Sequence, residues 1–321
     1  MNSANHISPR PSLRESSVAP HLALVAVQVM FGTWPIFGKI ALRAVSSVTV
    51  VTFRVVGAAA VFVLLQPSLG ELRTIPRKDL GRLVLCSLLG VVINQLVFVK
   101  GLSLTTVVNA TLLGTTIPVF TLLVSIILRY DRASFRRIAG IALALVGVVY
   151  LVDPFRAEFT SETTRGNLMI VLNSFCYGAY IAISKDLFKR YGALQVITWL
   201  FAIGCLFTLP IGLYEITGEH FGAVGLKFWL VMLYIILVPT VGAYYLNAWA
   251  LTRVSSSTVA TYIYLQPLIA FGLAPLLLGE HLSSRTLIAC IPIFAGIGIV
   301  VRRARSSAAR DVIERPDALA R

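Results

Sequence analysis

Residues 102–127 read LSLTTVVNATLLGTTIPVFTLLVSII, a stretch without a single Asp, Glu, Lys or Arg. A helix needs about 20 mostly apolar residues to cross the hydrocarbon core of a bilayer, so this stretch predicts a membrane span over about 104–128. Residues 251–276, LTRVSSSTVATYIYLQPLIAFGLAPL, repeat it in register: Leu102, Ala110 and Pro118 fall on Leu251, Val259 and Pro267. At the same offset Asp131, Ser134 and Gly147 fall on Glu280, Ser283 and Gly296. A proline, an acid and a glycine matched in one register are improbable by chance. Upstream, Trp34-Pro-Ile-Phe-Gly-Lys39 matches Tyr180-Ile-Ala-Ile-Ser-Lys185, which sets Arg43 on Lys189.

Around these two stretches the rest of the chain is equally apolar. Of 321 residues, 57% are hydrophobic and 13% charged, about half the charge of an ordinary soluble domain. The mean hydropathy is +0.83. The reading is an all-α membrane protein of ten transmembrane helices, near 21–42, 46–66, 81–100, 104–128, 135–152, 167–187, 193–214, 227–248, 256–278 and 284–302. Very short connections near Ala44, Gly101 and Arg253 predict helical hairpins. Residues 1–20 form an N-terminal tail without a cleavable signal pattern. The first repeat covers 21–152, a linker loop 153–166, the second repeat 167–302, and a basic tail 303–321.

Lys and Arg counts orient these helices. Both tails and the even-numbered loops hold far more of them than the odd-numbered loops, which places both termini in the cytoplasm of a bacterial inner membrane. Five helices per repeat is an odd number, so the second repeat enters the membrane upside down. Inverted repeats meeting at a pseudo-two-fold axis build many secondary transporters, with the site near the midplane between halves.

The doubled pattern resembles the EamA family of the drug/metabolite transporter (DMT) superfamily. The resemblance rests on Trp34…Lys39, Phe53-Arg54, Leu102…Ala110…Pro118 and Asp131…Gly147, then on Tyr180…Lys185, Leu251…Pro267 and Gly279-Glu280…Gly296. It departs at Asp131, where a Glu is usual, and at Lys100. Family members typically export amino acids or other small metabolites, so the resemblance implies a secondary transporter for an amino acid or related zwitterion or anion. The rival reading is a membrane-embedded protein that does not transport, a sensor or a lipid-acting enzyme.

Other chemistries find little footing. The formal net charge of +14 sits in short clusters between apolar runs, the signature of a membrane protein's cytoplasmic side and not of a nucleic-acid surface. Cys86, Cys176, Cys205 and Cys290 lie in apolar runs, which reads as packing. His6, His21, His220 and His281 are scattered, and no HExxH or phosphate-loop motif occurs. No metal, cofactor or enzymatic activity is expected; the partners are a small-molecule substrate and the bilayer, with oligomeric state open. No Asp or Glu falls in mid-helix, which ranks exchange, facilitated efflux or coupling through a peripheral group above a buried-carboxylate proton relay.

The candidate substrate-binding residues are polar or aromatic groups inside helices. Arg54 comes first: eight residues into its helix it lies roughly 12 Å deep, where an arginine costs about 2.5–3.5 kcal/mol without partners. It either meets an anionic substrate or is neutralised by neighbouring helices. Gln28, Asn94, Asn109, Thr116, Asn173, Thr258 and Gln266 must point inward because lipid offers amides no partner; inward means a cavity or an interhelical hydrogen bond. Thr258, Tyr262 and Gln266, spaced four apart, share a helix face, as do Asn109 and Thr116. Trp34, Tyr177, Tyr244 and Tyr262 would line an aromatic cavity or pack the bundle. Pro118 and Pro267 are matched candidates for hinges.

Overall fold

The computed structural model describes residues 18–66, 75–130, 135–152, 161–219, 224–254, 256–296 and 299. Among them the regular structure is helical throughout. In chain order the helices are α1 (Val18–Ala41), α2 (Ser47–Leu64), α3 (Arg77–Leu104), α4 (Val107–Ile127), α5 (Phe135–Val152), α6 (Glu162–Tyr191), α7 (Ala193–Ile216) and α8 (Leu226–Arg253). They are followed by α9, in two pieces (Ser256–Tyr262 and Leu265–Leu278), and by α10 (Ser284–Gly296). Seven of these, α1–α4 and α6–α8, are long and apolar enough to cross a membrane; the apolar parts of α5, α9 and α10 are shorter. The expected tails and most of the 67–80 loop lie outside the described residues.

Some boundaries move. Helix α6 starts at Glu162, inside the segment expected as linker, because the Ser161 hydroxyl accepts from the Thr164 amide and caps it. The turn after α3 falls at Thr105–Thr106 and not near Gly101.

The burial pattern is that of a protein dissolved in lipid. Leu206, Leu213, Leu230 and Leu276 face outward, while Gln28, Arg54, Asn94, Gln95, Asn173 and Asn247 are buried. A soluble fold would reverse this distribution, since buried amides there are the exception. In hydrocarbon each polar group must find a partner inside the bundle.

Four helices are irregular, in two matched pairs. Helices α3 and α8 each contain a π-helical segment, Leu88–Val92 and Leu237–Gly242, and Leu88 maps onto Leu237 at the offset that relates Pro118 to Pro267. In α4 the helix breaks at Thr115–Thr116, and in α9 at Ile263–Tyr264, just ahead of Pro118 and Pro267. The cause is local: each proline has no N–H for the carbonyl four residues back, and its ring collides with that carbonyl. The broken α4 is mended by side chains, with the Thr115 and Thr116 hydroxyls donating to the Leu112 and Leu113 carbonyls at 2.6 Å each.

Helix α6 is the hub. It crosses α3 at Gly166, where an added Cβ would lie 2.9 Å from the Gly101 carbonyl oxygen, and it crosses the broken α4 at Gly178, 2.9 Å from the Ile117 carbonyl oxygen. Helix α10 sits as tightly on α5 through Gly296 against the Gly140 carbonyl. Carboxylates hold two helix starts: Glu280 accepts from the Val107 and Val108 amides at 2.8 and 3.1 Å, and Glu219 from Ser46 at 2.7 Å. Both oppose the positive end of a helix dipole.

At one end, α3 and α6 are tied by charge. Arg190 bridges Asp79 at 3.0 Å and Asp186 at 2.8 Å, Arg82 bridges Asp186 at 3.0 Å, and the Tyr191 hydroxyl donates to Asp79. The Asp79 side chain is only 11% exposed, against 55% for Asp186. Exposed pairs contribute about 0–1 kcal/mol, whereas removing the charge of a nearly buried acceptor strands its donors. Asp79→Asn is therefore expected to destabilise the detergent-purified protein by about 1–3 kcal/mol, and Asp186→Asn by less than about 1 kcal/mol. Thermal unfolding of the two variants checks the order; equal effects would contradict it.

Candidate functional site

The site begins with a proline. Pro239, in the π-helical segment of α8, lacks the N–H that would satisfy the Ile235 carbonyl. The next residue repairs this: the Thr240 hydroxyl donates to the Ile235 oxygen at 2.7 Å. Its oxygen is then free to accept, and Arg54 Nε donates to it at 2.6 Å. Arg54 is 3% exposed, and its guanidinium carbon lies 3.8 Å from the centre of the Trp34 ring. Cation–π contact and one hydrogen bond offset part of the burial cost. Among the described residues no carboxylate pairs with Arg54, and its terminal nitrogens have no hydrogen-bond acceptor.

Those nitrogens border a cavity of about 70 Å³ between α1, α2, α3, α4, α6, α8 and α9. Seven of the expected residues line it: Trp34, Arg54, Asn94, Asn173, Tyr177, Tyr244 and Gln266. Its polar wall is bound into the bundle. Asn173 Nδ2 donates to the Asn94 carbonyl at 2.9 Å, and the Tyr244 hydroxyl to the Gly90 carbonyl at 3.1 Å. Asn247 Nδ2 reaches the Tyr177 hydroxyl at 3.5 Å. Phe31 stands edge-on to Tyr177 and Tyr244, with centroids 6.5 and 5.9 Å apart, and Phe98 stacks on Trp34 at 6.0 Å.

The remaining expected residues are elsewhere. Gln28 accepts from Gln266 Nε2 at 2.7 Å, and the Tyr262 hydroxyl bonds His21 Nδ1 at 2.7 Å. Tyr262 and Gln266 of α9 thus face His21 and Gln28 of α1 as an interhelical seam, and Gln266 also borders the cavity. Thr258 lies in α9, but its side chain lies outside the described residues. Asn109 accepts from the Thr286 hydroxyl of α10 at 3.1 Å, and Thr116 spends its hydroxyl on the backbone break. The break between Asn109 and Thr116 interrupts the periodicity that put them on one face. Pro118 and Pro267 stand just after the breaks, so their kink is present in both helices.

Sequence reading missed Thr240 and Gly90. The dipeptide Pro239-Thr240 inside an apolar run was the available signal, since a mid-helix proline leaves a carbonyl that a following threonine can reach. Gly90 carried no signal of its own: it is required because the Tyr180 ring presses on it, 2.6 Å from where a Cβ would be. Among the described residues no cluster of three potential metal ligands occurs.

Thr240→Val would strand a buried guanidinium donor and the Ile235 carbonyl, at a cost of about 1–3 kcal/mol. Tyr244→Phe removes one neutral hydrogen bond, about 1 kcal/mol. Denaturant or thermal unfolding in detergent should rank them in that order, and a more stable Thr240→Val would contradict the linked arrangement.

The model of the EamA-like transporter family matches residues 19–152 and 164–302. An uncharacterized transporter of Archaeoglobus fulgidus is 29% identical over 61% of this chain and 67% of its own length. YetK of Bacillus subtilis, also an uncharacterized transporter, is 23% identical over 90% of this chain and 88% of its own. A probable terminal-alkyne amino-acid exporter of Streptantibioticus cattleyicolor is 26% identical over 70% and 74%. A crystal structure of 20% identity, covering 90% of this chain and 98% of the other, superposes with a TM-score of 0.62, which shows a shared fold. The chain is a member of the EamA-like transporter family, built of apolar membrane helices in two successive family units.

Proposed function

We propose that this protein is a secondary transporter that moves a small metabolite, an amino acid or related zwitterion or anion, out across the bacterial inner membrane. It does so by alternating access between two inverted five-helix repeats, α1–α5 and α6–α10, with both termini cytoplasmic and the short helices α5, α9 and α10 also spanning. The observation that carries this reading is a buried, carboxylate-free arginine bordering a cavity whose walls are helices interrupted in matched pairs. Interrupted helices at membrane depth are tolerated where they line a cavity, and a site between repeats is where alternating access requires it.

The matching extends beyond the breaks. Two clefts flank the bundle, of about 610 and 470 Å³. Leu42, Val45 and Ser46 of the first correspond to Phe188, Tyr191 and Gly192 of the second, in the register that sets Lys39 on Lys185. Lys100 and Ser103 correspond likewise to Trp249 and Thr252, in the register that sets Leu102 on Leu251. Equivalent clefts from equivalent residues support two halves of one shape. Their closures differ in chemistry: where α3 and α6 meet through Asp79, Arg82, Asp186 and Arg190, the equivalent positions on α8 and α1 are Phe228, Val231, Ile40 and Ala44. One end is tied by charge, and at the other the equivalent positions are apolar. Export of an amino-acid-like compound is supported by the likeness to the Streptantibioticus relative, a probable terminal-alkyne amino-acid exporter.

The test is counterflow in proteoliposomes preloaded with unlabelled amino acids or organic acids. Wild type is expected to exchange at least one class, Arg54→Ala to lose exchange by at least about 10-fold, and Pro118→Ala and Pro267→Ala to slow exchange without abolishing binding. A compound that stabilises the protein against heat yet is never exchanged would instead make it a non-transporting sensor.

A further inference from the structure

The charge balance of the cavity narrows its substrate. Arg54 brings one fixed positive charge, and no Asp or Glu is among the lining residues. The walls offer neutral acceptors as well as donors, but among the described lining residues Arg54 is the one charged group. Arg54 keeps its two terminal nitrogens, since only Nε is engaged by Thr240. Tyr177 accepts from Asn247 through its oxygen, so its own proton is free. Asn94 gives its backbone oxygen to Asn173, and its side-chain oxygen lies 3.5 Å from the Tyr244 hydroxyl, whose proton goes to the Gly90 carbonyl. Around these donors stand Phe31, Trp34 and Phe98.

Resting on the transport reading above, we infer that the substrate is an organic monoanion, a carboxylate with an apolar body, and not a zwitterion or an amine. A carboxylate would take two parallel bonds from the Arg54 fork and a further proton from Tyr177, neutralising the charge. An ammonium group would enter a buried site with no counter-charge beside an existing cation, which burial penalises heavily. Because Arg54 itself supplies the counter-charge, the anion needs no co-transported cation. An inside-negative membrane then drives it outward, by about 50-fold in concentration ratio per 100 mV.

Three probes share one carbon chain: hexanoate, norleucine and hexylamine. Ligand-induced thermal stabilisation, counterflow, and charge movement on solid-supported proteoliposomes are read for each. Hexanoate is expected to stabilise the wild type at a concentration at least about 10-fold lower than norleucine. It should also move negative charge, while hexylamine does neither. Arg54→Lys should keep the preference for hexanoate and Arg54→Gln should lose it; an unliganded unfolding transition in both variants shows that they fold. Norleucine or hexylamine binding as well as hexanoate, or no probe binding at all, overturns the inference. Exchange of norleucine in preference to hexanoate overturns it while leaving the transporter reading intact. Hexanoate binding without exchange or current overturns transport and leaves the anion site standing.

Discussion

Every helix in this protein answers one constraint: in hydrocarbon a backbone carbonyl that loses its N–H cannot turn to water. Pro239 creates such a carbonyl at Ile235, and the Thr240 hydroxyl closes it. That repair leaves a hydroxyl oxygen at the one place where Arg54 can reach it. Without the π-helical turn the threonine would not be so placed, and the arginine would be buried without its partner. The position of the site is thus a by-product of how the chain satisfies its own backbone.

The same economy shapes the partner half. Gly90, at the position equivalent to Pro239, lies in the π-helical segment of α3, and its carbonyl is taken by the Tyr244 hydroxyl from α8. Thr115 and Thr116 do for α4 what Thr240 does for α8. The arginine and threonine that meet at the cavity come from different family units, and so do the two asparagines. The ion pair of Asp79 and Arg190 joins α3 to α6, and the equivalent positions, Phe228 and Ala44, carry no charge.

How much was legible beforehand follows from what each signal depends on. Apolar length and the repeat of Pro118 on Pro267 are properties of the chain alone, so the helical membrane class and the kinks could be read directly. Arg54 could be singled out because a charge at that depth is costly in any bundle. Gln28 and Tyr262 could not be sorted from Asn94 and Tyr177, because all four satisfy the same rule that polar groups point inward. Only the partner across the helix interface decides between a seam and a cavity, and α1 happens to carry His21 and Gln28 at the spacing that pairs with α9.

The sequence by itself determined the solvent, the helical class, the doubled organisation and the presence of one buried cation, since each follows from composition and period. The tertiary structure alone decided which polar groups meet one another and which are left facing space. Hydrogen-bond partnership between helices depends on their rotation and on backbone breaks such as that at Thr115–Thr116. A single-residue change in helical register there turns a side chain by about 100°, enough to move it from the cavity to the seam.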